Sequence, residues 1–158
     1  MQFLEMISKT TKVFISGSIS RKRLSENAIA CLKRMIEDHC TILIGDAFGV
    51  DRAVQQYLSE QNYRNVIVYF SGGKPRNNTG AWQTKQIPNP DHLTGRSMYQ
   101  LKDNAMADDC DSGMMFWDGK SKVTKENMEY MGKIGKEYIH GRICLNAPRH
   151  SQNPFDMQ

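Results

Sequence analysis

The sequence lacks long hydrophobic runs, an export signal and metal-ligand spacing. No stretch approaches the roughly 18 consecutive apolar residues that a membrane-spanning helix requires. Glu5 and Lys9 interrupt the first ten residues, which therefore lack the apolar core of a secretory signal. The four cysteines form no CxxC pair, and the four histidines show no metal-ligand spacing. We therefore expect a cytoplasmic protein with reduced cysteines, no membrane contact, no metal and no cofactor.

Several well-known site motifs are also missing. The sequence contains no GK[ST] phosphate-binding P-loop, no GxGxxG dinucleotide fingerprint and no GxSxG nucleophile elbow. The net charge is only +4, from 21 Lys and Arg against 17 Asp and Glu, which is less than expected for a dedicated DNA-binding domain. The one dense basic cluster, residues 21–23, fits either a solvated helix start or attraction of phosphate.

The order of apolar runs predicts the fold class. Five continuous apolar runs, at residues 13–15, 41–44, 66–70, 114–117 and 142–145, are typical of strands buried on both faces of a parallel sheet. Four helices are predicted between them, with N-terminal caps at Ser25, Asp51 and Thr124. The 158 residues therefore predict one α/β, Rossmann-like domain, with about five parallel strands, helices on both faces and a core from about residue 12 to 146.

Residues 71–95 break this rhythm. The segment is rich in glycine and proline and shows no periodicity, so we expect a long loop there, of a kind that is usually functional or mobile. Its Trp82 and His92 fit two roles equally well: they cover a ligand, or they pin the loop to the body. The polar tail, residues 147–158, is expected to fray.

Three turns are candidate binding sites, because ligands of open parallel sheets bind at the carboxyl ends of the strands. The first turn is Ser16, Gly17 and Ser18, where glycine permits close backbone approach and the hydroxyls can donate to phosphate. The second is residues 45–51, GDAFGVD, whose two glycines can expose amide groups to an anion. In it, Asp46 and Asp51 either bind ribose hydroxyls or serve as turn and cap residues.

The third turn, residues 117–124, joins the fourth predicted strand to the last helix. Its hydroxyls and lysines precede a helix and so predict a phosphate cradle. Trp117 fits either stacking on a base or a place in the core. Residues 103–111 carry four aspartates, which either include a general acid or base or form a solvated helix end.

Taken together and in this order, the three turns resemble the SLOG superfamily of Rossmann-like nucleotide-binding domains. That group includes the Lonely Guy phosphoribohydrolases and the DNA-processing protein A domain. Residues 45–51 resemble the GGA-x-GVD motif of its small stand-alone branch. The stretch from Lys102 to Met106, followed by Asp111 and by WDGKS at 117–121, resembles the late segment of that branch. The resemblance covers about residues 12–146.

The sequence departs from the phosphoribohydrolase motif PGGxGTxxE. Val123 replaces the glycine, and Asn127 occupies the place of the catalytic glutamate, with Glu126 one position early. Because an amide cannot act as a general acid or base, the resemblance implies binding of a nucleotide phosphate without implying the hydrolase mechanism.

Three functional hypotheses follow. The first is a sensor or sequestering module for a nucleotide or nucleotide-derived molecule, expected to act as a homodimer or higher homo-oligomer. The second is an N-glycosidic hydrolase or transferase with Glu126, Asp111 or Asp46 as the carboxylate. The third is a single-stranded DNA-binding protein. The candidate ligand-binding residues are Ser16, Gly17, Ser18, Gly45, Asp46, Gly49, Val50, Asp51, Lys102, Trp117, Lys120, Ser121, Thr124 and Asn127.

Overall fold

The computed structural model describes residues 11–18 and 23–142. Six parallel strands form one sheet: β1 (Lys12–Gly17), β2 (Thr41–Ile44), β3 (Val66–Phe70), β4 (Gln83–Gln86), β5 (Ser112–Trp117) and β6 (Glu137–Arg142). The helices of the described part are α1 (Glu26–Glu37), α2 (Val50–Glu60), α3 (Gly95–Asp109) and α4 (Lys122–Lys133). The strand order is β4-β3-β2-β1-β5-β6, and every pairing is parallel. The prediction of an α/β fold with a parallel sheet is confirmed.

Two apolar layers show that the helices cover both faces of the sheet. Val13 and Ile15 of β1 pack in one layer with the buried residues of α1 and α2. Phe14, between them in sequence, packs in the other layer with Met106 of α3 and Met131 of α4. Alternate residues of a strand face opposite sides of a sheet, so one continuous apolar run supplies both layers. Among the described residues, no helix is both long and apolar enough to cross a bilayer.

The prediction of about five strands missed β4. This strand, Gln-Thr-Lys-Gln, pairs with β3 from Ile67–Gln83 to Phe70–Gln86, inside the segment predicted to be a loop. All four of its residues are exposed, because β4 forms the edge of the sheet. A polar edge strand has no apolar pattern to reveal it, and polar residues there discourage pairing with other chains.

Two predicted helix boundaries were wrong, and one strand was placed too late. Ser25 does cap α1, accepting a hydrogen bond from the Ala28 N–H. In contrast, Gly49 precedes α2 and Asp51 is its second residue, while Ser121 caps α4 and Thr124 lies in its first turn. In each case another residue, Gly49 or Ser121, holds the non-helical backbone conformation of the N-cap position. The last strand runs from 137 to 142, and residues 143–145 lie outside the described residues.

Candidate functional site

The strand order reverses beside β1. The chain proceeds from β1 through β2 and β3 to β4 on one side, then crosses to β5 and β6 on the other. The carboxyl ends of β1, β2 and β5 therefore surround the crevice where open α/β sheets bind ligands. Ser16, Asp46 and Trp117 lie at or just beyond these three ends. The three turns singled out in the sequence thus lie on one edge of the sheet.

A cluster of buried polar side chains occupies this edge. We call its five residues the buried polar cluster; each is at most 7% exposed, and they are Ser16, Asp46, Lys102, Asp103 and Asn127. Lys102 Nζ lies 3.6 Å from Asp46 Oδ1 and 3.5 Å from Asp103 Oδ1. Asn127 Nδ2 donates to Ser16 Oγ at 2.9 Å and to Asp103 Oδ2 at 3.2 Å. The cluster therefore links β1, β2, α3 and α4 through one network.

Asp46 is held as a carboxylate. Arg76 donates to it twice, from its backbone N–H to Oδ2 and from Nη2 to Oδ1, both at 2.8 Å. Burial alone would raise the pKa of Asp46, but these bonds and the charges of Arg76 and Lys102 bring the pKa below its ordinary value. The guanidinium of Arg76 also stacks on the ring of Tyr99, 4.0 Å from its centroid. Asp46 thus holds the guanidinium of Arg76, a residue of the long loop, at the edge of the sheet formed by the carboxyl ends of the strands, which we call the carboxyl edge.

Asp51 has the opposite electrostatic character. Burial raises its pKa to about 6, against the attraction of Lys102 and the hydrogen bond from the Ala47 N–H, and with repulsion from Asp103 and Asp46. Gly45 makes room for this carboxylate. A Cβ atom there would lie 2.7 Å from both Asp51 Oδ2 and Lys102 Nζ. Because Gly45 has no side chain, the Asp51 carboxylate and the Lys102 ammonium can both approach its backbone.

The long loop is fastened to this edge, partly through Gln55. The Nε2 of Gln55 donates to the carbonyl oxygens of Gly45 and Asn77, and its Oε1 accepts from the Thr79 N–H. Trp82 is 4% exposed and donates from Nε1 to the Tyr63 carbonyl oxygen at 2.8 Å. Of the two roles considered for Trp82, the structure supports pinning the loop, whereas His92 is exposed.

The turn before α4 uses several of its own amide groups. Asp118 Oδ1 accepts from the N–H groups of Lys120 and Ser121, and Ser121 Oγ accepts from the Thr124 N–H. The hydroxyl of Thr124 is fully buried and has no hydrogen-bond partner within the described ranges. A buried hydroxyl without a partner is costly, and among the five described side chains with such a buried unpaired atom Thr124 is the one at the start of α4.

The remaining turn residues support the local structure. Ser18 Oγ accepts from the Asp118 N–H at 3.2 Å and so joins the first turn to the third. The half-buried Trp117 donates from Nε1 to the Ser121 carbonyl oxygen. Gly49 has φ 90° and ψ −127°, a conformation that essentially requires glycine. Its neighbour Val50 is buried against Gly17.

Two of the three carboxylates proposed as alternatives for catalysis, Glu126 and Asp111, lie outside the buried polar cluster. Glu126 is on the exposed side of α4, where it lies 3.5 Å from Arg96. Asp111 precedes β5 and accepts from the Lys12 N–H at the start of β1. In a parallel sheet both starts lie at the amino edge, so Asp111 is on the side opposite the buried polar cluster.

Three residues that hold this edge of the sheet together were not among the candidate ligand-binding residues, namely Gln55, Arg76 and Asp103. Arg76 lies in a segment with no periodicity, and Gln55 is one polar residue of an amphipathic helix. Asp103 was counted with the aspartates of residues 103–111, which also fit a solvated helix end. The one sequence feature that could have indicated its role is its position next to Lys102 in a helix that packs against the sheet.

The raised pKa of Asp51 predicts a pH dependence of the unfolding free energy. The pKa of Asp51 in the folded protein, about 6, exceeds its ordinary value of 3.8, so the folded protein holds the proton more tightly than the unfolded chain. The resulting stabilisation is complete below about pH 4 and is lost as the pH rises through 6. Asp51→Asn stays neutral and can still accept from Ala47. The full pKa difference corresponds to about 3 kcal/mol. Because the residue keeps some solvent exposure, which screens its charge, we expect the variant to gain about 1–2 kcal/mol of unfolding free energy at pH 7.5 relative to wild type.

Urea unfolding of both proteins from pH 4 to 8 measures this effect. The relevant quantity is the difference in unfolding free energy between the two proteins. Asp46 and Asp109 have lowered pKa values, so their protonation in acid destabilises both proteins alike. A difference that does not change with pH would contradict the raised pKa.

Comparison with known proteins identifies the fold. No protein-family model and no curated protein sequence matches the chain. Among solved structures, DNA processing protein A from Helicobacter pylori, described for its single-stranded DNA binding mode, superposes with a TM-score of 0.64. The match has 18% sequence identity and covers 92% of this chain and 70% of that one. The chain therefore has the Rossmann-like fold of DNA processing protein A, one of the groups that its sequence resembles.

Proposed function

We propose that this protein is a SLOG-type domain that binds a nucleotide or nucleotide-derived small molecule at the carboxyl edge of its sheet. The observation that carries the proposal is the buried polar cluster at the reversal of strand order. Burying charged groups costs more free energy than burying apolar residues of similar size, and such groups concentrate at functional sites. Sheets of this kind bind ligands at this location.

The start of α4 is the proposed phosphate contact. The N–H groups of Lys122 and Val123 have no hydrogen-bond partner in the described part of the chain, and the helix dipole favours an anion there. The buried Thr124 hydroxyl adds a donor that a phosphate oxygen would satisfy. Ser16 and Ser18 flank this position, and Asn127 supplies an amide beside it.

Asp46 has a different proposed role from the ribose contact that the sequence suggested. Both of its carboxylate oxygens already accept from Arg76. We therefore assign to Asp46 the positioning of Arg76, whose guanidinium on Tyr99 then presents a positive charge at the edge. A ligand with phosphate groups would be attracted by Arg76 and Lys102 together.

The three carboxylates proposed for cleavage of an N-glycosidic bond are poorly suited to it, which supports binding as the leading hypothesis. A general acid or base needs a carboxyl group that reaches the substrate with a suitable pKa. Glu126 pairs with Arg96, Asp111 lies at the opposite edge, and Asp46 has a lowered pKa. Asn127, at the position of the family's glutamate, is an amide.

Thr124→Val tests the proposed phosphate contact. Native mass spectrometry of the wild-type protein with NAD, ADP-ribose, nucleoside monophosphates and cyclic dinucleotides first identifies the ligand. Valine has the shape of threonine without its hydroxyl, so we expect the variant to keep or gain thermal stability. Its affinity for the identified nucleotide should fall roughly 10-fold or more, measured by calorimetry.

Ser112→Ala is the matched control. Its hydroxyl is also buried without a described hydrogen-bond partner, but it lies at the amino end of β5. This variant should bind as the wild-type protein does. Equal affinity of Thr124→Val and wild type would remove α4 from the site. No nucleotide adduct would refute the proposal, and release of free base would establish the N-glycosidic alternative.

A second candidate function, single-stranded DNA binding, is favoured by the structural match. The matched Helicobacter pylori protein binds single-stranded DNA, and the carboxyl edge here presents Arg76 and Arg96. A fluorescent oligonucleotide bound more tightly than any mononucleotide, with affinity falling steeply as salt rises, would establish this alternative.

A further inference from the structure

The exposed face of α2 carries two charges against the direction of the helix dipole. Arg52 is the third residue of the helix, where the dipole disfavours a cation, and Glu60 is the last, where it disfavours an anion. Both side chains are exposed, and neither forms an ion pair with any described residue. Glu60 accepts only from Gln56 Nε2 of its own helix, at 3.0 Å. Local helix energetics do not explain this arrangement.

The spacing of these residues is self-complementary. Arg52, Gln56 and Glu60 follow one another at intervals of four and so share one face of α2. If a second copy of α2 lies antiparallel on this face with Gln56 at a two-fold axis, Arg52 of each copy meets Glu60 of the other. The two Gln56 side chains then meet at the centre. In a two-fold interface, residue i of the first copy contacts residue j of the second, and residue j of the first contacts residue i of the second. The arrangement of Arg52 and Glu60 meets this requirement.

Apolar surface surrounds the same face. Phe48, just before α2, is 53% exposed, and it is the large hydrophobic residue most open to solvent in the described chain. It borders a groove of about 920 Å³ between α1 and α2, which Leu24, Ile29 and Tyr57 also line. The Tyr57 hydroxyl is buried there and has no hydrogen-bond partner among the described residues. An exposed apolar groove with a charged rim is typical of a protein interface.

We propose that α2 and Phe48 form a two-fold homodimer interface, in which Arg52 of each protomer pairs with Glu60 of the other. Neighbouring Ala53 and Tyr57 supply apolar contact, and Phe48 extends this contact at the end of the face. The inference concerns the assembly of the protein and does not rest on the proposed nucleotide site, although Phe48 lies in the 45–51 turn.

Charge reversal tests the pairing. Arg52→Glu and Glu60→Arg each place like charges opposite one another at two positions of the dimer, and each suits the dipole of its own helix. We expect each single variant to keep the wild-type thermal stability of the monomer fold. The dimer dissociation constant, measured by sedimentation equilibrium, should rise roughly 10- to 100-fold.

Two combinations make the test specific to this geometry. The double variant Arg52→Glu, Glu60→Arg restores opposite charges and should recover the wild-type dissociation constant. An equimolar mixture of the two single variants should form a heterodimer, because one chain then carries two acidic and the other two basic residues on this face.

The proposal has clear points of failure. A wild-type protein that remains monomeric at 100 µM, a concentration on the order of that at which weak protein dimers form, would overturn it. A dimer whose dissociation constant is unchanged in both single variants would place the interface elsewhere. If the wild-type protein is monomeric and Phe48→Ser abolishes binding of single-stranded DNA, the groove accepts nucleic acid and the dimer assignment fails.

Discussion

Lys102→Met should lower the free energy of unfolding by about 2–4 kcal/mol at pH 7, measured by urea denaturation. Lys102 is 3% exposed and lies between Asp46 and Asp103, with the carboxylate of Asp51 beside it. Removing one partner of a buried ion pair leaves the other charge buried without compensation, which typically costs 3–5 kcal/mol. Arg76 continues to hold Asp46 and Arg96 continues to contact Asp103, so we place the expected loss somewhat lower.

Lys85→Met provides the matched control. Lys85 also forms an ion pair, with Asp109 at 2.8 Å, but its side chain is 51% exposed. Exposed pairs contribute about 0–1 kcal/mol, so this variant should stay within about 1 kcal/mol of wild type. Equal losses in the two variants would mean that the buried polar cluster is not more costly to disrupt than a surface pair. That result would remove the energetic argument for a functional site.

The nucleotide affinity of Lys102→Met distinguishes the stability effect from the proposed function. If Lys102 attracts phosphate, binding should weaken even at temperatures where the variant is fully folded. Stability loss with unchanged affinity would assign Lys102 a structural role alone.

The central part of the fold could be predicted from the sequence because the buried strands are apolar at consecutive positions. The runs at 13–15, 41–44, 66–70 and 114–117 are apolar at consecutive positions, and each lies within a strand of the sheet interior. A strand between two helical layers must be apolar on both faces, so its sequence alone identifies it. The edge strand β4 has no such constraint, and the polar residues Gln83–Gln86 gave no signal.

The candidate site could be predicted only in part, because its contacts join distant segments. The carboxyl edge was located from the turns, and Ser16, Asp46, Lys102 and Asn127 do come together there. Arg76 is 30 residues from Asp46, and Ser16 is 111 residues from Asn127. Whether a loop arginine or a helical aspartate joins such a network depends on packing between elements, which no local pattern encodes. Residue type likewise did not show that both oxygens of Asp46 are occupied by Arg76.

Gly17→Ala should destabilise the protein by about 1–3 kcal/mol, the usual cost of overpacking a core. A Cβ atom at Gly17 would lie 2.4 Å from Cγ1 and 2.7 Å from Cβ of Val50, the first residue of α2. Rotating the side chain of Val50 moves only its Cγ atoms, so it cannot relieve the contact with the Cβ atom. The start of α2 must therefore move away from β1. Because the 45–51 turn leads into α2, nucleotide binding should weaken as well.

A second substitution and a control glycine test this explanation. Val50→Ala removes the two Cγ atoms that approach Gly17, so the double variant should lose less unfolding free energy than the sum of the two single variants. Gly132→Ala, in α4, places its Cβ in open space and should raise stability by up to about 1 kcal/mol. Strict additivity of Gly17→Ala and Val50→Ala would show that the two residues do not act through one contact. The tight approach of α2 to β1 would then not be the reason for glycine at position 17.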